Sequence, residues 1–209
     1  MDRIEWRKNM NEAEEEIRGG TRQLLLFFYA PEDCEGSRRT MEEVLNDQTV
    51  INLIERSAAP LKFDISKDIE MAKRYRVDLT PAFVIAGEDG VELERWVGYL
   101  PAGEFKEQLM LSKGLAAFHL NRYRDAMREF EEIVDEHPAS ELAPEAEFYL
   151  GLAGYRATGD TDVLAEACDN LKTNHPGSLW TKRCSVFSHL TRTLNTMYVS
   201  GGSLGGGAY

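Results

Sequence analysis

The chain has 209 residues, 43% of them hydrophobic, which is enough apolar material for one large or two small cored domains. Its 24 Lys and Arg stand against 36 Asp and Glu, a formal net charge of −12. A surface of that sign repels phosphate backbones and anionic lipid, so neither nucleic acid nor a membrane surface is expected as a partner.

Three cysteines are present, Cys34, Cys168 and Cys184, an odd and sparse set that does not read as a disulfide framework. No CxxC, CxxH or HxxxH spacing occurs, so neither a zinc site nor any other cofactor is expected. The N-terminal residues 2–16 are charged and lack the apolar core of a signal peptide. The longest apolar run is far short of a membrane span. These features predict a soluble, cytoplasmic protein.

In chain order, residues 5–17 read as a charged first helix stopped by Gly19-Gly20. Residues 23–30 form a continuous apolar run, the pattern of a strand buried on both faces. Helical spacing over 37–45 and 50–54 is interrupted by Asn46-Asp47, a cap signal. Residues 60–65 alternate like a strand, and 69–75 make a short helix. Residues 83–86 and 91–97 flank Gly87-Glu88-Asp89-Gly90, a hairpin signal. The order β-α-β-α-β-β-α predicts an α/β sheet with an antiparallel edge.

From about Gly103 no strand candidate follows. Helical periods run over 105–120, 123–136, 144–158, 163–173 and 179–197, with Pro138 and Pro176 between them. Residues 200–209 are glycine-rich and expected to form a flexible tail.

Two landmarks stand 47 positions apart: Cys34-Glu35-Gly36-Ser37 after the first strand, and Thr80-Pro81 opening the apolar run Ala82-Phe83-Val84-Ile85. Tyr75-Arg76-Val77 precedes the second landmark, and Val97-Gly98-Tyr99-Leu100 closes the hairpin. On these residues, 22–110 resembles thioredoxin. The step from Leu45 through Asp47 to Val50 is similar to relatives that carry a D-x-x-V after the active-site helix. The resemblance implies a thioredoxin fold over residues 1–104, a central mixed sheet with flanking helices. It also implies a cis bond before Pro81, and a surface at Thr80, Pro81 and Gly98 that binds extended peptide.

Residues 110–176 resemble tetratricopeptide repeats. Gly114, Ala117, Tyr123, Ala126, Phe130, Ile133 and Pro138 fall where that repeat alternates small and large residues. A second unit follows with Ala146, Tyr149, Gly151 and Pro176. This implies an all-α helical-repeat domain over 105–199 that holds partner polypeptides. Two units fall short of the about three that stack stably alone, so the array is expected to dock on the first domain or on a second copy, making a homo-oligomer.

Cys34 and Ser37 are the candidate catalytic pair. A cysteine at a helix N-terminus gains from the dipole and the free N–H groups, which favour the thiolate. Arg38 and Arg39 push the same way; Glu32, Asp33 and Glu35 oppose them. Measured against thioredoxin, Ser37 replaces the resolving cysteine, Phe27 stands near the place of the buried carboxylate, and Asp33 replaces the preceding aromatic. These departures predict the loss of dithiol turnover. The first expectation is therefore a protein-binding scaffold that is not an efficient enzyme. The alternative is a monothiol exchange factor acting through Cys34, with the repeats recruiting its clients. Cys168 and Cys184 are expected as small buried apolar residues. His137 and His175, each followed by proline, are expected at helix ends.

Overall fold

The computed structural model describes residues 3–32 and 34–187. It divides into two compact units, Met1–Glu129 and Phe130–Tyr209. The first holds a four-stranded sheet: β1 (Gln23–Tyr29), β2 (Ala58–Asp64), β3 (Ala82–Ala86) and β4 (Glu92–Val97), in the order β2-β1-β3-β4. β1 runs parallel to β2 and antiparallel to β3, and β3 turns back into β4. This is the mixed sheet of a thioredoxin fold.

β1 sits at the centre, and its unbroken apolar run is explained by cover on both sides. Leu24, Leu26 and Phe28 point to one face, where they pack with Ala13 and Ile17 of α1 (Met10–Ile17) and with Tyr75. Phe27 points to the other and stacks on Phe83, with ring centroids 4.7 Å apart. Trp96 and Phe105 continue that aromatic layer.

The first helix starts at Met10, later than the sequence suggested, because Asn9 caps it by accepting from Glu12 N–H at 3.0 Å. Residues 3–8 run non-helically, and Arg7 N–H donates to Pro60 C=O at 2.9 Å. The helix expected over 37–45 is split. α2 (Glu35–Arg39) passes into a π-helical turn at Thr40–Val44, closed by Leu45 N–H donating to Thr40 C=O at 2.9 Å. Asp47 then caps α3 (Gln48–Ser57) by accepting from the N–H groups of Thr49 and Val50. A short α4 (Ile69–Arg74) precedes β3.

The helical region contains α5 (Ala102–His119), α6 (Tyr123–Glu136), α7 (Ala143–Thr158), α8 (Thr161–Asn174) and α9 (Leu179–Cys184). α5 is continuous across position 104 and lies wholly within the first unit, while the division into units falls inside α6. In the second unit α7 and α8 pack closely at Gly151 and Ala167. Phe148, Tyr149 and Trp180 form an aromatic cluster beside them. His175 occupies the C-cap of α8. The rest of the helix expected over 179–197, from residue 188 on, and the glycine-rich tail lie outside the described residues.

One expectation is corrected. Cys168 and Cys184 are not separate small apolar residues: they form a disulfide between α8 and α9, with Cα atoms 5.4 Å apart. Their burial was foreseen, since both are almost fully enclosed. Their bond was missed because a separation of 16 places residues on neighbouring helices without fixing whether those faces meet. Among the described residues no helix is long and apolar enough to cross a membrane.

Candidate functional site

The end of β1 delivers the chain to Cys34, which is the N-cap of α2 in extended backbone geometry. Its Sγ accepts from Ser37 N–H at 3.4 Å, in the manner of a capping side chain, and lies 3.0 Å from the carbonyl oxygen of Thr80, to which the thiol donates. The Thr80–Pro81 bond is cis. Gly98 (φ +105°) donates its N–H to Pro81 C=O at 2.8 Å. The structure thus brings together all five residues singled out in the sequence: Cys34, Ser37, Thr80, Pro81 and Gly98.

Ser37 is fully buried, and its Oγ accepts from Ala30 N–H at 3.2 Å. Cys34 is partly exposed and is the one free thiol among the described residues. Burial pushes the Cys34 thiol upward. Hydrogen bonds from the Ser37 and Thr80 side chains and from the Ser37 and Gly36 N–H groups outweigh it and hold the thiol below its ordinary value.

The arginines contribute less than their position suggests. Arg38 is engaged by Glu35 and Glu42, and Arg39 by Glu43. Each guanidinium is matched by a carboxylate, so its field at Cys34 is largely cancelled, and the local hydrogen bonds decide the outcome. Asp33 lies outside the described residues.

Three residues were not singled out by sequence. Gly36 packs against Pro81 with no room for a side chain. Tyr99 bridges the β4–α5 junction to the helix after Cys34: its ring lies under the Arg39 guanidinium at 4.1 Å, and its hydroxyl donates to Glu43 at 2.7 Å. Hydrogen bonds from Arg39 and Tyr99 hold the Glu43 carboxyl down to about 2. The i, i+4 spacing of Arg39 and Glu43 was a legible signal; Tyr99, 60 positions from Arg39, was not.

Phe27 occupies the centre of an aromatic stack with Tyr29 and Phe83, so no carboxylate lies beneath the Cys34 loop from that strand position. Among the described residues no group of three or more His, Cys, Asp or Glu is placed to hold a metal ion.

A mixed sheet of order β2-β1-β3-β4, with a cysteine capping the helix after β1 beside a cis-proline, has the arrangement of a thioredoxin fold. Residues 10–112 match the family model described as a thioredoxin-like domain. Similar solved structures include the DsbH oxidoreductase, 16% identical over 54% of this chain and 85% of that one, TM-score 0.47. A thioredoxin from Thermus thermophilus is 27% identical over 55% of this chain and 92% of its own, TM-score 0.44. The C-terminal domain of DsbD from Neisseria meningitidis, in the oxidised form, is 20% identical over 46% and 86%, TM-score 0.38. No curated protein matches the chain.

Proposed function

We propose that the protein captures partner polypeptides through a single-thiol exchange at Cys34. The observation that carries this is the placement of Cys34 Sγ at the N-cap of α2, where it accepts from Ser37 N–H and the thiol is held below its ordinary value, with a buried hydroxyl at position 37 instead of a second sulfur. The Cys34 thiolate attacks one sulfur of a partner disulfide. The partner S–S bond breaks, a mixed disulfide forms at Cys34, and the other partner sulfur leaves as a thiolate. Ser37 cannot reverse this, because a hydroxyl is not an effective nucleophile toward disulfides at neutral pH. Release needs the freed partner thiolate or a small-molecule thiol to attack the partner sulfur, which returns Cys34 as thiolate.

An extended segment of the partner would lie across Thr80, Pro81 and Gly98. Leu79 and Val97 flank that line and are 69% and 48% exposed, an apolar margin that suits side chains of a bound peptide. The same margin favours a second reading, in which the site holds peptide as a scaffold without exchange. In both readings the helices from α5 onward act as a divergent tetratricopeptide-like array that recruits the partner; the close approach of α7 and α8 at Gly151 and Ala167 supports that assignment. The Cys168–Cys184 bridge favours an oxidising compartment over the cytoplasmic location expected from the sequence.

The test is reaction of the full chain with glutathione disulfide, followed by intact-mass measurement. The natural protein should accumulate one glutathione adduct that persists until dithiothreitol is added, and Cys34→Ala should accumulate none. A natural protein that forms no adduct leaves only the scaffold reading.

A further inference from the structure

A second site lies apart from Cys34, beneath the N-terminal arm. A cavity of about 310 Å³ opens there, floored by the buried ring of Phe27 and walled by Trp6, Met41 and Leu45. Arg3 and Lys62 stand on its lining. Met41 and Leu45 come from the π-helical turn and the residue after it, an element often found where a helix is reshaped around a site. Lys62 is the β2 neighbour of Phe27, and its ammonium lies 5.5 Å from the centroid of the Trp6 ring.

The arm is held in place on both sides of Trp6. Glu5 N–H donates to Glu55 Oε1 at 2.7 Å, and Arg7 N–H donates to Pro60 C=O at 2.9 Å. Trp6 itself lies 6.2 Å from Phe27, ring to ring. The cavity is therefore formed before any ligand arrives, which lowers the entropic cost of binding.

Its charge runs against the rest of the molecule. The chain carries −12, yet among the described residues no carboxylate lines the cavity, and two cations do. Among the described residues neither Arg3 nor Lys62 enters an ion pair. Two uncompensated cations beside an apolar, aromatic-lined space match one ligand chemistry: an anionic head on a compact apolar body. We propose that this cavity binds a small monocarboxylate with an aromatic or branched apolar body. Its carboxylate would meet Arg3 and Lys62, and its body would lie between Trp6 and Met41. This assignment does not depend on exchange at Cys34.

The test is calorimetric titration of the full chain with 3-phenylpropionate, beside its neutral analogue 3-phenylpropan-1-ol. The acid should bind saturably at one site. The alcohol should bind at least about tenfold more weakly, as expected for loss of charge-assisted hydrogen bonds. The exposed pair Arg3→Gln and Lys62→Gln, made together, should weaken the acid by about tenfold or more and leave the alcohol unchanged. Met41→Trp, which fills the space, should abolish both, and the charge variant carries the test alone if that protein does not fold. Absence of saturable binding to the natural chain would overturn the proposal. So would equal binding of acid and alcohol, or an unchanged affinity in the folded charge variant.

Discussion

Gly36 lies so close to Pro81 that a Cβ built on it would meet Pro81 Cδ at 2.9 Å and Tyr99 Cβ at 3.6 Å. This contact ties the loop carrying Cys34 to the segment carrying Thr80, and it requires the absence of a side chain. Gly36→Ala should force the two apart and destabilise the first unit by about 1–3 kcal/mol, the usual range for overpacking. Because the Gly36 and Ser37 N–H groups of this loop help hold the thiol down, alkylation of Cys34 at neutral pH should slow as well. Urea denaturation and iodoacetamide labelling read the two effects separately.

Ser37→Cys should restore intramolecular resolution. Position 37 lies one helical turn from the cap residue, and its backbone N–H already reaches Cys34 Sγ at 3.4 Å. A thiol there would attack the mixed disulfide at Cys34, release the partner and close a Cys34–residue 37 disulfide. The glutathione adduct that persists in the natural protein should then decay without added thiol, as followed by intact mass.

Gly151 holds α7 against α8. A Cβ there would stand 2.4 Å from the Cβ of Ala167, a distance no packing relaxes cheaply. Gly151→Ala should cost about 1–3 kcal/mol despite the better helix propensity of alanine. Ala167→Gly should remove most of that cost in the double variant, giving a favourable coupling in a double-mutant cycle read by thermal denaturation.

Glu16 supplies a pH dependence. Hydrogen bonds from Arg7 and Arg22 hold its carboxyl down to about 2 from an ordinary 4.5. Arg7 Nη2 donates to Glu16 Oε1 at 2.8 Å. A carboxyl lowered by folding adds stability that is complete above its unfolded value and is lost as the pH falls from about 4.5 toward about 2. Glu16→Gln should flatten the stability profile in that window and lower stability at pH 7 by no more than ~1 kcal/mol, as for partly exposed pairs. Denaturation at a series of pH values checks both.

The Cys168–Cys184 bridge closes a short loop between α8 and α9. Its removal by Cys168→Ala with Cys184→Ala should destabilise the second unit by about 3 kcal/mol, the scale set by loop-closure entropy for a loop of this length. Trp180 packs on Phe148 at 5.1 Å beside the bridge, so its fluorescence should report the transition.

The sheet was legible because its signals are local. An unbroken apolar run at 24–28 needs two covered faces, and Gly87 to Gly90 spells a turn. The candidate site was legible as residues but not as a state. Cys34, Thr80 and Gly98 are marked by spacing, whereas the charge balance at Cys34 depended on which carboxylate each arginine had found. Arg38 and Arg39 looked like activators and are taken up by Glu35, Glu42 and Glu43. The start of α1 was misplaced because charge composition continues through residues 5–9, while the cap at Asn9 and the arm's bond to Pro60 set the true boundary. The cavity under Trp6 had no local signal at all, since it is assembled from the arm, the π-helical turn and two strands.

The pH profile of Cys34 alkylation by iodoacetamide bears most directly on single-thiol capture, because the bridged Cys168 and Cys184 do not react. The rate should rise with a midpoint below that of an ordinary cysteine, as the contacts with Ser37, Thr80 and Gly36 require. A midpoint at or above the ordinary value would show that the thiol is not activated and would contradict exchange at this site.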